Sequence, residues 1–145
     1  MQRIGVFICH CGTNIAGTVD VKAVAEALSH EQGVVFSTDY QYMCSESGQQ
    51  LMREAIREHK LTAVVVGSCS PRMHEATFRK AAAAEGLNSY MVEIANLREH
   101  VSWIHKDMNS IGQKRCRKWY TCQITKRRVI EIWLFIVLKI SKHDT

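Results

Sequence analysis

Ala63-Val64-Val65-Val66-Gly67-Ser68-Cys69-Ser70-Pro71 is the stretch on which the fold turns. Residues 63–66 are apolar without a break and mostly β-branched, as in a strand buried on both faces, and Gly67 ends the run. A helical pattern follows from about residue 72 to 84 and closes at Gly86. Residues 90–94 read as a further strand. A last helix begins near Leu97, with Val101, Ile104 and Met108 at i+4, i+7 and i+11.

The same alternation runs toward the start of the chain. Residues 4–8, Ile-Gly-Val-Phe-Ile, read as a buried strand. Asp20 suits an N-cap, and Val21, Val24, Ala25 and Leu28 recur behind it at helical spacing until Gly33. Residues 34–36 form a second strand. Ser45 or Ser47 caps the next helix, with Leu51, Ala55 and His59 on one stripe and Met52 and Ile56 beside it. Strands alternating with helices predict an α/β fold: a Rossmann-like parallel sheet of about four strands with flanking helices and right-handed crossovers. Ligands in such sheets sit beyond the carboxyl ends of the strands.

Charge divides the chain. Residues 1–113 carry ten Lys/Arg and twelve Asp/Glu, whereas residues 114–145 carry nine and two, so the net +5 belongs to the end of the chain. The body therefore has no nucleic-acid footprint. We read residues 1–113 as one domain and 114–145 as an atypical tail, basic over 114–128 and apolar over 129–140. That apolar run falls short of the ~20 residues a spanning helix needs, and no membrane partner is expected. Met1-Gln2-Arg3 leads straight into the first strand without the apolar core or cleavage site of a secretory leader, so a cytoplasmic location is expected. Cysteines in that compartment hold metal or do redox work more often than they form disulfides.

Cys9 and Cys11 follow the first strand, Cys44 the second and Cys69 the third. A parallel sheet brings all four to one edge. Four thiolates meeting there suit a [4Fe–4S] cluster or a tetrahedral zinc. The spacing matches neither the common ferredoxin run nor a zinc ribbon: there is Cys9-x-Cys11 but no C-x-x-C. The alternative for each cysteine is a buried apolar side chain at a strand end. Gly12, Gly48 and Gly67 leave backbone amides free to approach a sulfur-rich ligand. Ser45 and Ser68 could donate to cluster sulfurs, or be ordinary turn and cap residues.

Four blocks carry a resemblance. They are Val6-Phe7-Ile8-Cys9-His10-Cys11-Gly12-Thr13-Asn14-Ile15-Ala16-Gly17, Cys44-Ser45-Glu46-Ser47-Gly48-Gln49, Val66-Gly67-Ser68-Cys69-Ser70-Pro71-Arg72-Met73-His74-Glu75-Ala76-Thr77-Phe78, and Ala95-Asn96-Leu97-Arg98-Glu99-His100-Val101-Ser102-Trp103-Ile104-His105. In this order they resemble the N-terminal domain of the heterodisulfide reductase A-subunit family, over roughly residues 3–113. The resemblance implies a flavin and iron–sulfur protein of methanogens and other anaerobes. Its complex passes electrons from hydrogen or formate through FAD, and in methanogens divides them between ferredoxin and the mixed disulfide of coenzymes M and B. It further implies that Cys9, Cys11, Cys44 and Cys69 ligate a cluster of unusual type. The implied partners are the other subunits, a flavin domain, and hydrogenase or formate dehydrogenase subunits.

The family's G-x-G-x-x-G flavin domain and ferredoxin C-x-x-C-x-x-C repeats are not found in these residues, so FAD would belong to a downstream domain. After Gly112-Gln113-Lys114 the family's Ala-rich helix is replaced by Arg115-Cys116-Arg117-Lys118-Trp119-Tyr120-Thr121-Cys122, as a shifted reading frame would produce. His10 offers an alternative ligand, a hydrogen-bonding neighbour or a simply exposed side chain. Arg72 and His74, after Pro71, could contact an acidic group or a partner's flavin phosphate, or be a surface residue and a local cap. Trp103 and His105 belong to a docking face or to the core. The leading expectation is an electron-transfer domain of a heterodisulfide-reductase-like oxidoreductase; its rivals are a structural zinc or thiol docking module and a truncated, non-functional product.

Overall fold

A computed structural model describes residues 2–103. Ile104, His105 and Met108, together with the whole stretch 114–145 and its Cys116 and Cys122, lie outside the described residues. The order is β1 (Ile4–Cys9), α1 (Val21–Ser29), β2 (Val34–Tyr40), α2 (Glu46–His59), β3 (Ala63–Ser68), α3 (Pro71–Ala83) and β4 (Val92–Asn96). All neighbouring strands pair parallel, in the spatial order β2-β1-β3-β4. The expected α/β architecture is the one observed.

The helix starts follow their signals. Asp20 Oδ1 accepts from the Ala23 amide at 3.1 Å. Ser45, not Ser47, caps α2, accepting from the Gly48 amide at 3.2 Å. Pro71 opens α3, where its fixed φ and missing N–H do no harm.

Three boundaries move, each for a physical reason. β2 runs on to Tyr40, because Ser37, Thr38 and Asp39, polar enough to read as a turn, pair with Val6, Phe7 and Ile8 of β1. β3 continues through Gly67, where a Cβ would meet Leu97 Cδ1 at 2.8 Å and Ile8 Cδ1 at 2.9 Å. The glycine there admits neighbouring side chains instead of breaking the strand. Tyr90 is not in β4 but in a 3₁₀ turn, Ser89–Met91, because the Asn88 side chain accepts its amide at 3.0 Å; the strand begins at Val92. Beyond β4 the described chain forms one π-helical turn, Arg98–Ser102, whose Ser102 hydroxyl donates to the Asn14 carbonyl.

Alternation along β1 and β3 sorts the core into two layers. Ile4, Val6, Ile8, Ala63 and Val65 pack with Val21, Val24, Ala25 and Leu28 of α1. Phe7, Cys9, Val64 and Val66 pack with Met52, Ala55 and Ile56 of α2 and Phe78, Ala81 and Ala82 of α3. The division is topological. The β1-to-β2 crossover moves outward in one direction, and the β2-to-β3 crossover returns past β1. Right-handed connections of opposite sense place their helices on opposite faces. The order reverses between β1 and β3, and beyond the carboxyl ends of such a pair is the usual ligand position in open parallel sheets.

Candidate metal centre

The cysteines fall at that end of the sheet. Cys9 is the last residue of β1, and Cys69 directly follows β3, so the two strands flanking the reversal each deliver one. Cys11 lies two residues past β1, and Cys44 directly precedes the cap of α2. Cys11 and Gly12 have φ of 49° and 61°, two successive left-handed residues that turn the chain sharply after β1. At Gly12 a Cβ would also stand 2.9 Å from Tyr42 Oη. The Cys9 sulfur accepts from the Cys11 amide at 3.3 Å and the Met43 amide at 3.4 Å, drawing the Cys44 loop over β1. Its thiol faces the Gln41 carbonyl at 3.8 Å.

All four described cysteines are free. Burial pushes the Cys9 thiol up; the amides of Met43 and Cys11 pull it down, and the charges of Cys11 and Cys44 push it up again. Burial likewise pushes Cys69 up, against Arg98, with Cys11, Cys9 and Cys44 adding to the rise. Cys69 thus feels the other three thiols and Cys9 feels Cys11 and Cys44, although they come from three loops.

Ser68 stands just before Cys69, 2% exposed, and its hydroxyl is the one buried side-chain polar atom among the described residues without a hydrogen-bond partner. A buried hydroxyl left unpaired costs about 1–3 kcal/mol, so its place beside a cysteine suits a sulfur acceptor there. Four thiols, a spare buried hydroxyl and a nearby cation together fit a cluster that carries negative charge. Among the described residues, no three His, Cys, Asp or Glu side chains stand close enough to hold one metal ion. A cluster asks for a wider arrangement than a single zinc, since each thiolate binds a different iron.

The other anticipated residues divide. His10 Nε2 pairs with Asp39 Oδ2 at 2.6 Å, so its ring is engaged with β2. The Ser45 hydroxyl is spent on the helix cap and on the Tyr42 carbonyl, at 2.6 Å. Gly48 gives its amide to that cap, and the space of its missing Cβ is filled by the backbone of Tyr42 and Met43 at 2.5–2.6 Å. Arg72 is exposed, and His74 sets its ring edge-on to Phe78. Trp103 is 47% exposed beneath the Arg98 guanidinium, 5.1 Å from ring centre to Cζ.

Arg98 is the residue that sequence reasoning passed over. It lies two residues beyond β4, whose Asn96 pairs with Ser68 next to Cys69, and its pKa is pushed up by Glu99 first and then by Cys11 and Cys69. Its place after a strand end was the available signal, but the helical pattern from Leu97 made it look like an ordinary first-turn residue.

A Methanopyrus kandleri protein, named as the second iron–sulfur A-subunit of CoB–CoM heterodisulfide reductase, is 46% identical over 129 residues, 89% of this chain. This chain is a homologue of the heterodisulfide reductase A-subunit over part of that protein's length. The A-subunit of the ferredoxin/F420H2-dependent CoB–CoM heterodisulfide reductase of Methanosarcina acetivorans is 51% identical over 130 residues. The A-subunit of the H2:CoB–CoM heterodisulfide,ferredoxin reductase of Methanothermobacter marburgensis is 42% identical over 129. These matches cover 16–20% of the relatives, so the chain spans about one-fifth of the length of the A-subunits it matches. No family model matches the sequence.

Proposed function

We propose that this chain is an iron–sulfur electron-transfer domain of a heterodisulfide-reductase-like oxidoreductase, with Cys9, Cys11, Cys44 and Cys69 as ligands of a [4Fe–4S] cluster. The observation that supports the reading is the placement of four free cysteines at or just beyond the carboxyl ends of β1, β2 and β3, three adjacent strands of one parallel sheet. The bound cluster would supply reversible one-electron storage. The chain supplies the rest: the Cys11 and Met43 amides that steady the Cys9 sulfur, the Ser68 hydroxyl, and burial that keeps water from the Cys9 and Cys69 thiols.

In this reading the domain ends near residue 113 and makes no bond of its own. It relays electrons to or from a flavin domain and other subunits of an anaerobic complex in the cytoplasm, with hydrogenase or formate dehydrogenase subunits as sources. Methanogenesis is the pathway we favour, supported by the CoB–CoM heterodisulfide in the relatives' names. No described helix is long and apolar enough to cross a membrane.

Metal analysis and an absorption spectrum on protein purified without oxygen test the proposal. It expects about four irons and four sulfides per chain, lost in Cys44→Ser or Cys69→Ser. Stoichiometric zinc without a visible band would replace it with the docking-module reading. Neither metal in a folded anaerobic preparation would overturn both.

A further inference from the structure

Arg98 brings a cation to a site whose other groups are thiols. Its side chain is 16% exposed and held on several sides. Nε and Nη2 donate to Glu99 Oε1 at 3.1 and 2.8 Å, Nη2 also lies 3.1 Å from Met73 Sδ, and the guanidinium stacks over Trp103. Glu99 is fixed in turn. Asn96 Oδ1 accepts its amide at 3.1 Å while Asn96 Nδ2 donates to its second carboxylate oxygen. Leu97, fully buried over Gly67, anchors the start of the turn. So many restraints on one arginine exceed what a surface ion pair needs, since exposed pairs contribute little.

We propose that Arg98 sets the cluster's reduction potential: held by Glu99, Met73 and Trp103 two residues past the end of β4, which pairs with β3 beside Cys69, its guanidinium favours the more negative, reduced state. Glu99 is a counter-charge whose carboxylate offsets part of the effect, while Met73 and Trp103 also hold the guanidinium. The inference rests on the cluster reading. One electron enters from a chemical mediator and no proton moves, so the effect is electrostatic: a fixed positive charge in a partly buried site stabilises added negative charge.

The test is an EPR-monitored redox titration of the full chain, wild type against Arg98→Gln, Arg98→Lys and Glu99→Gln, with iron content read first. Wild-type protein without iron refutes the cluster reading itself. With iron present, Arg98→Gln is expected to weaken electron affinity at least tenfold, a fall of about 59 mV for a one-electron couple. Glu99→Gln moves it the opposite way, and Arg98→Lys lies between Arg98→Gln and wild type. Opposite signs are what a charge effect produces and a packing defect does not. Unchanged potentials, shifts in the same direction, or loss of iron from both Arg98→Gln and Glu99→Gln overturn the inference alone.

Discussion

Replacing Gly48 by alanine separates two uses of that glycine. Its missing side chain could serve a ligand or the protein itself, and the geometry favours the protein. A Cβ there would lie 2.5 Å from the Tyr42 carbonyl oxygen and 2.6 Å from both Met43 Cα and Met43 O. These are backbone atoms, which cannot swing aside as a side-chain tip would. Overpacking of this kind costs about 1–3 kcal/mol, and contact with backbone puts the change at the upper end. Alanine returns at most about 1 kcal/mol of helix propensity. The net loss is therefore about 2 kcal/mol, or a fall on the order of 8–16 °C in Tm for a domain of roughly a hundred residues. Calorimetry or thermal circular dichroism on the metal-free chain reads it. A Gly48→Ala protein melting at or above the wild-type temperature would refute the close approach of α2 to the Cys44 loop. Unchanged metal-free stability with iron lost would show instead that the glycine serves the cluster.

Ser68→Ala removes the unpaired buried hydroxyl and is expected to stabilise the metal-free protein by about 1 kcal/mol, read as a higher urea midpoint. Phe78→Ala empties a fully buried site between α3 and the sheet and is expected to cost about 3–5 kcal/mol, read the same way. Asp20→Ala deletes the α1 cap and is expected to lower stability by about 1 kcal/mol. Burial pushes Cys9 and Cys69 up, so in the metal-free protein the unfolded chain loses these protons first. That stability is complete below the ordinary thiol range and is lost as pH climbs through the raised folded values; urea midpoints measured upward from about pH 8 should fall, less steeply in Cys9→Ser. A slope unaltered by that substitution would contradict the assignment.

The alternation of strand and helix was legible because burial imposes a period on the sequence. Apolar runs at 4–8 and 63–66 are too short for helices and rich in β-branched residues, as strands covered on both faces are, and Asp20 and Pro71 mark helix starts by backbone chemistry that needs no tertiary context. The four cysteines were legible as a set because each follows a strand. What failed locally failed where a neighbour overruled propensity. β1 held Ser37, Thr38 and Asp39 extended, Leu97 and Ile8 filled the space over Gly67, and the Asn88 side chain took Tyr90 out of β4.

Other features came only from the folded chain. Ser45 and Gly48 turned from candidate cluster contacts into parts of a helix cap, because hydrogen bonds and close approach are relations between atoms whose distance a sequence does not state. Ser68 became notable only when its burial left it without a partner. Arg98 joined the cysteines because β4 pairs with β3 and so ends beside Cys69. By itself the sequence determined which segments are strands and helices and which residue types lie at their ends, since those follow from periodicity and local backbone chemistry. The tertiary structure decided which of those ends meet and which polar groups remain unspent, because both depend on strand order.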